Sequence, residues 1–291
     1  MFVPATKKVM EKYHIEGLVQ VLGSPDEERM GGKIELIEAG YVKYPDVCLM
    51  THPGNQENAF MRTLALQAVS VHYYGKATHA AISPWEGINA LDAVVQSYQA
   101  IAMHRNQMSP STQIHGIITD GGQVTNVIPK HASAHYFMRS ESKAALKELQ
   151  QKVTSIFEGV AQTTGCQVRL TWDPMYAEMK VNNLLAGQYQ RYMERLYRHT
   201  FPNVETQRER ATGSTDMGNV SQVKPSIHTS YGIGVESRCN LHTDAFRQAC
   251  QTSVAHEQTW KSATGLALVA LKVLDDEEFC DQVSQEFHGQ Q

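Results

Sequence analysis

The chain has 291 residues, 42% of them hydrophobic and 19% charged, and its 26 Lys and Arg against 30 Asp and Glu give a formal charge of -4. That length is enough for two domains with separate cores, and the mixed charge, without long runs of one sign, argues against nucleic acid and membrane surfaces as partners. No apolar stretch reaches the roughly 18 residues of a membrane span, no secretory signal is evident, and five cysteines without a CxxC pair suit a reducing compartment, so a cytoplasmic protein is expected.

Residues 7–14 read as the end of a helix feeding a first strand at 18–22. A helix over 34–39, ended by Gly40, and a second strand at 47–50 follow, giving strand, helix, strand. From Ala65 the texture changes to an alternating strand up to Tyr73. Ser83-Pro84-Trp85-Glu86 has the form of an N-cap with proline at the first helical position and a capping-box acid, before apolar residues at helical spacing from Ile88 to Ile101. Strands at 113–119 and 133–138 come next. A helix then opens near Ser142 and stops at Gly165, and a strand at 166–172 closes the set. This order of strand, helix, strand, strand, helix, strand is the ferredoxin-like arrangement. It predicts an inserted α+β domain at residues 65–174 between α/β segments at 1–64 and 175–291. The second segment is read as a helix at 183–198, a helix opened by GSTDMGNVS, a strand at 226–233, a loop holding Asn240-Leu241-His242-Thr243, and a closing helix along Trp260, Ala263, Ala267, Ala270 and Leu274.

In an open α/β sheet, ligands gather beyond the carboxyl ends of the strands, and here those ends carry Asp26-Glu27-Glu28 and His52. Two acids and a histidine are suitable zinc ligands. Adjacent carboxylates can take different roles, one on a metal and one receiving a proton, although acids ahead of a helix also simply complement its dipole. His52 in a His-Pro-Gly turn and His242 in a polar loop are each unremarkable alone; their joint placement is what points to a site. His79, at the end of the inserted domain's first strand, could stabilise an oxyanion, and Asn126 and Arg139 could hold a carboxylate. Asx-turn, strand-cap and solvated-charge roles compete for those three. Ser214 and Thr215 either donate hydrogen bonds to a ligand or cap the following helix. His131 and His135 lack the Glu of HExxH and are assigned no metal, and Gly31-Gly32-Lys33 lacks the spacing of a phosphate loop.

GSPDEERMGGKIELIEAG, THPGNQENA, YYGKATHAAISPWEGINALDA, GGQVTNVIP, GSTDMGNVS and LHTDAF occur in that order. Together they resemble the blocks of the dinuclear zinc metallopeptidases that include aminoacylase, hippurate hydrolase and p-aminobenzoyl-glutamate hydrolase. The resemblance implies a zinc-binding α/β catalytic domain interrupted by a ferredoxin-like lid and dimerisation domain. It also implies a metal-dependent hydrolase of amide bonds in N-acyl amino acids or in dipeptides ending in a basic residue, working as a homodimer or homo-oligomer. By position, Glu27 corresponds to the general base, Glu28, His52 and His242 to metal ligands, His79 to a lid histidine often supplied by the partner subunit, and Asn126 with Arg139 to the substrate-holding pair. Two zinc ions are expected in the family, with manganese as an alternative metal. The family's Cys-Gly-His motif, which precedes the first matched strand, is absent from this sequence. The expectation is therefore an N-terminally incomplete catalytic domain with a depleted ligand set. The alternative function is a non-catalytic binding or dimerisation protein.

Overall fold

The computed structural model describes residues 2–209 and 213–289. It divides into two compact units, Met1–Thr63 with Met179–Gln291, and Leu64–Glu178.

Alternation along β2 (Ala65–Tyr74) puts Val69, Val71 and Tyr73 on a fully buried face while Ser70 and His72 lie on the half-buried opposite one. The chain continues through α3 (Ala90–His104), β3 (Gln113–Asp120), β4 (His131–Ser140), α4 (Lys143–Thr164) and β5 (Gln167–Trp172). The four strands form an antiparallel sheet in the order β3-β4-β2-β5, the ferredoxin-like order. Both helices turn their apolar stripes, among them Val94, Ile101, Leu146, Val153 and Phe157, into one core with Tyr73 and Tyr136. The Tyr73 hydroxyl donates to the Phe157 carbonyl at 3.0 Å and pairs with Ser97 Oγ at 2.6 Å, so a polar atom deep in this core is satisfied.

The capping box expected at Ser83 does not start α3. Residues Pro84–Glu86 form only a short 3-10 turn, and Gly87 leaves it extended. Ile88 then exchanges two backbone hydrogen bonds with Lys76, at 2.9 and 3.0 Å, which holds the chain out of the helix. The helix opens afterwards, with the Asn89 side chain accepting from the Leu91 N–H. Tertiary pairing has overridden a good local cap.

The other unit contains α1 (Phe2–Tyr13), α2 (Gly32–Glu38), β1 (Cys48–Gly54), α5 (Asn183–Tyr197), α6 (Val204–Glu209), α7 (Met217–Ser221), β6 (Ser226–Gly232), α8 (Asp244–Ala249), α9 (Ser253–Asp275) and α10 (Glu277–Gly289). Strands β1 and β6 run parallel, from Cys48↔Ser226 to Gly54↔Gly232. On one side Ile227 packs with Leu185 and Tyr189 of α5 and Leu266 and Val269 of α9; on the other, Cys48 and Met50 pack with Met217 and Val220 of α7. Residues 18–22, expected as a strand, have no ladder partner among the described residues and run as irregular chain. A strand is stabilised by its pairing, and without it Leu18 is 82% and Val21 69% exposed. Leu18, Val19 and Leu22 form one wall of an apolar groove of about 360 Å³ whose other wall includes Val47, Leu49, Val273 and Leu274.

Candidate active site

Glu27 and Glu28 lie in a turn that closes on the Asp26 carbonyl, which accepts from the N–H groups of Met30 and Gly31 at 3.1 and 2.9 Å. Asp26 adopts a left-handed φ of 54° and Gly31 one of 65°, so the turn is tightly wound, with Glu27 half-buried and Glu28 exposed. Immediately after it, Lys33 anchors the start of α2. Its backbone N–H donates to Asp216 Oδ2 at 3.0 Å and its ammonium to Oδ1 at 2.7 Å. Asp216 is completely buried, so this pair ties the two-glutamate turn to the Gly213-Ser214-Thr215-Asp216 segment. Within that segment Thr215 is buried, and its hydroxyl accepts from the Met217 N–H at 3.3 Å. Ser214 Oγ is buried and has no hydrogen-bond partner among the described residues.

His52 stands near the carboxyl end of β1. Its Nδ1 lies 2.7 Å from the Pro53 carbonyl, which can only accept, so Nδ1 carries a proton and, in the neutral ring, the lone pair is on Nε2. That is the tautomer of a metal-ligating imidazole oriented by a backbone carbonyl. His242 is exposed, with a left-handed φ of 61°, in the loop before α8. The Asn55 side chain holds the preceding part of this loop by donating to the carbonyls of Ser237 and Cys239 at 2.8 and 3.0 Å. Among the described residues, no three His, Cys, Asp or Glu side chains are gathered closely enough to hold a metal ion. Glu28, His52 and His242 therefore do not form a three-donor group in this structure. The residues present fit a divalent metal only in part, through the bare nitrogen of His52.

His228, on β6, is a residue that sequence reasoning misses. It is 3% exposed, its ring centroid lies 5.9 Å from that of His52, and neither ring nitrogen has a partner among the described residues. Burial, then His52 and Lys33, push its pKa down to about 3, so it is a neutral imidazole. The signal in the sequence is a histidine inside SIHTSYG, a run of strand character; nothing local distinguishes it from a surface-facing residue.

In the other unit the structure brings His79 and Asn126 together. The Ala80 N–H donates to the Asn126 carbonyl at 3.0 Å, and His79 bridges to Val127. The Ala81 N–H donates to His79 Nδ1 at 3.2 Å, so the neutral ring keeps its proton on Nε2, where it can be given to an oxygen. His79 and Asn126 are both exposed. Arg139 lies elsewhere. The Asn126 loop returns to the sheet at His131, and the rise along β4 from there to Arg139 is about 26 Å. Arg139 donates from Nη1 to His115 Nε2 at 3.2 Å and stacks over Phe137 at 5.6 Å; burial lowers its pKa from the usual guanidinium value. One copy of this unit therefore does not place Asn126 and Arg139 side by side.

Residues 65–164 match the family described as the peptidase dimerisation domain. The Xaa-Arg dipeptidase of Mus musculus is 38% identical over 270 residues, covering 92% of this chain and 62% of that protein, and that of Homo sapiens is 38% identical over 272 residues, covering 92% and 61%. One of the p-aminobenzoyl-glutamate hydrolase subunits of Escherichia coli is 31% identical over 183 residues, covering 62% of this chain and 38% of its own. The chain thus spans about three fifths of the length of the dipeptidases it matches. Among solved structures, an aminobenzoyl-glutamate utilization protein from Klebsiella pneumoniae has a TM-score of 0.68 at 19% identity, over 94% of this chain and 67% of that one. A dinuclear metal binding peptidase of the M20 family from Bacillus subtilis has a TM-score of 0.65 at 17% identity, over 94% and 70%. At these identities the structural likeness speaks for the fold. The chain is accordingly similar in sequence to the Xaa-Arg dipeptidases over about three fifths of their length, shares the fold of the M20 peptidases, and matches the peptidase dimerisation domain over residues 65–164.

Proposed function

We propose that this protein hydrolyses the amide bond of small dipeptides or N-acyl amino acids, with dipeptides ending in arginine or lysine as the preferred class. The observation that carries the reading is the 38% identity to Xaa-Arg dipeptidases over 92% of this chain; His52 offering a lone pair and His79 an N–H, each within its own unit, are compatible with it. An amide hydrolase needs both a group that accepts and a group that donates to the oxygen on which charge develops. In this reading Glu27 accepts the proton of the attacking water and delivers it to the leaving amine. His79 Nε2–H donates to the developing oxyanion, helped by the Asn126 side chain, and Arg139 pairs with the terminal carboxylate of the substrate. Ser214 Oγ and the segment around Thr215 take up remaining polar groups of the ligand.

A metal ion enters this reading only through the resemblance of the ligand blocks, which gives Glu28, His52 and His242 as its holders and zinc or manganese as the ion; the three would have to close from the separate positions they hold here. Bound, it would supply an acidified water. Because His79 with Asn126 and Arg139 occupy opposite ends of the same sheet, a single substrate is best served by two copies of the domain, so a homodimer is proposed. The exposed edge of β3, with Ile117 65% and Ile118 43% accessible, suits that association. A reducing, cytoplasmic location is consistent with the free cysteines. No helix among the described residues is long and apolar enough to cross a membrane.

One observation favours a second reading, a binding or assembly protein without catalysis: the lack of a three-donor group among the described residues. Metal analysis of the purified protein beside an assay of alanyl-arginine hydrolysis separates the two. Bound metal with arginine release supports the hydrolase; a dimer with neither supports the assembly protein.

A further inference from the structure

The loop that carries Asn126 leaves the sheet at Asp120 and returns at His131. Pairing between β3 and β4 is irregular there, stepping from Ile118↔Ala134 to Asp120↔Ser133. At that irregularity the Asp120 carboxylate makes two hydrogen bonds. Oδ1 accepts from the Gly122 N–H at 3.0 Å, and Oδ2 accepts from His131 Nδ1 at 2.7 Å. One side chain thus bonds both the outgoing and the returning end of the loop.

The bonding continues into the sheet. His131 Nε2 lies 3.1 Å from Nδ1 of His72 on β2, with the two rings stacked at 25°. A carboxylate only accepts, so His131 donates from Nδ1; as a neutral ring it then accepts at Nε2, and His72 donates. Every donor in the series meets an acceptor without either imidazole being charged. Burial first, then His131 and Arg169, lowers the pKa of His72, while the Gly122 N–H first, then His131, lowers that of Asp120.

Above this base the loop is tied to the segment carrying His79. The Gly75 N–H donates to the Lys130 carbonyl and the Ile128 N–H to the Thr78 carbonyl, both at 2.9 Å, in addition to the Ala80 to Asn126 bond. The loop also closes on itself at Gly122, whose φ is 101° and where a Cβ would meet Pro129 Cγ at 2.8 Å. Loosening the base of the loop therefore loosens Asn126 and His79 together.

We propose that Asp120, His131 and His72 form a hydrogen-bonded clasp that shuts the base of the 121–130 loop and so positions Asn126 and His79 toward the substrate. The inference rests on the functional reading above for what those two residues touch; the three clasp residues are positioning residues. The test combines deuterium uptake of the intact chain with steady-state hydrolysis of alanyl-arginine for Asp120→Ala, His131→Phe, His72→Phe and the conservative Asp120→Glu. Breaking the clasp speeds uptake at residues 122–128 about five- to tenfold. It also lowers kcat at least fivefold with KM changed less than twofold, as the loss of oxyanion donors requires, and Asp120→Glu recovers part of both. His72→Phe, which removes only the innermost bond, gives a smaller change in the same direction. Unchanged uptake in Asp120→Ala and His131→Phe overturns the clasp. Faster uptake with kcat unmoved, when Asn126→Ala does lower kcat, overturns its positioning role. If the unaltered chain has no turnover, or Asn126→Ala leaves kcat unmoved, the functional reading fails instead, and uptake alone decides whether the clasp exists.

Discussion

The two units differ in how completely they close their backbone and apolar surfaces. In the unit Leu64–Glu178, four strands pair beneath two long helices, and Tyr73, Tyr136 and Phe157 are fully buried in its core. In the other, a two-stranded parallel sheet leaves β1 with one unpaired edge, and an apolar groove of about 360 Å³ runs beside it. Pairing on both sides of a strand fixes its register and lets a side chain count on its neighbours. Residues 18–22 have no such partner among the described residues, whatever their own strand preference. The contrast explains why His79 and Asn126 sit in loops pinned bond by bond, while Glu28 and His242 remain exposed and apart from a three-donor cluster.

The contrast can be broken most decisively by cavity formation. Phe157→Ala, in the closed unit, is expected to cost about 3–5 kcal/mol, whereas Leu18→Ala, on the exposed wall of the groove, should stay within about 0.5 kcal/mol. Denaturant unfolding of both variants measures this, and equal losses would mean that the open unit is as tightly built as the closed one. Next in size is the buried ion pair. Lys33→Met strands the Asp216 carboxylate without its cation, at about 2–4 kcal/mol, while replacing both residues by apolar ones should recover much of the loss. A recovery would show that the loss comes from the stranded carboxylate and not from the net contribution of the pair.

A smaller effect sharpens the account of α3. Asn89→Ala should cost about 1 kcal/mol and Ser83→Ala close to nothing, since only Asn89 caps the helix. The reverse ranking in thermal unfolding would restore the capping box at Ser83. Smallest is the acid response at Asp120. Its folded pKa lies below the ordinary carboxylate value, so its stabilising contribution is full above about pH 4 and is lost as the pH falls through the folded pKa. Asp120→Asn should therefore show a shallower loss of melting temperature between pH 4 and 2 than the unaltered chain.

Much of the closed unit is legible in the sequence. Period-two alternation in residues 65–74, helical spacing around Ser142 to Gly165, and the order of the six elements lead directly to the ferredoxin-like arrangement. The start of α3 is not, because Ser83-Pro84-Trp85-Glu86 carries every local mark of a helix start, and the Lys76–Ile88 pairing that cancels it is set by tertiary contact. The strand at 18–22 fails for the opposite reason: its local preference is sound, but the partner it needs is not among the described residues. At the candidate site, the single residues Glu27, His52, His79 and Asn126 can be picked out by type and position. The bonds that set their protonation and hold their loops cannot, because His228, the Lys33–Asp216 tie and the Asp120–His131–His72 series join residues distant in the chain.

The proposed hydrolysis is tested most directly by measuring free arginine released from alanyl-arginine by the unaltered chain and by Glu27→Gln, with metal content determined on both samples. The account predicts steady release by the unaltered chain and a loss of at least a hundredfold in Glu27→Gln at equal metal content. Equal rates for the two proteins would contradict the role of Glu27, and no release by the metal-loaded, folded chain would contradict the hydrolase itself.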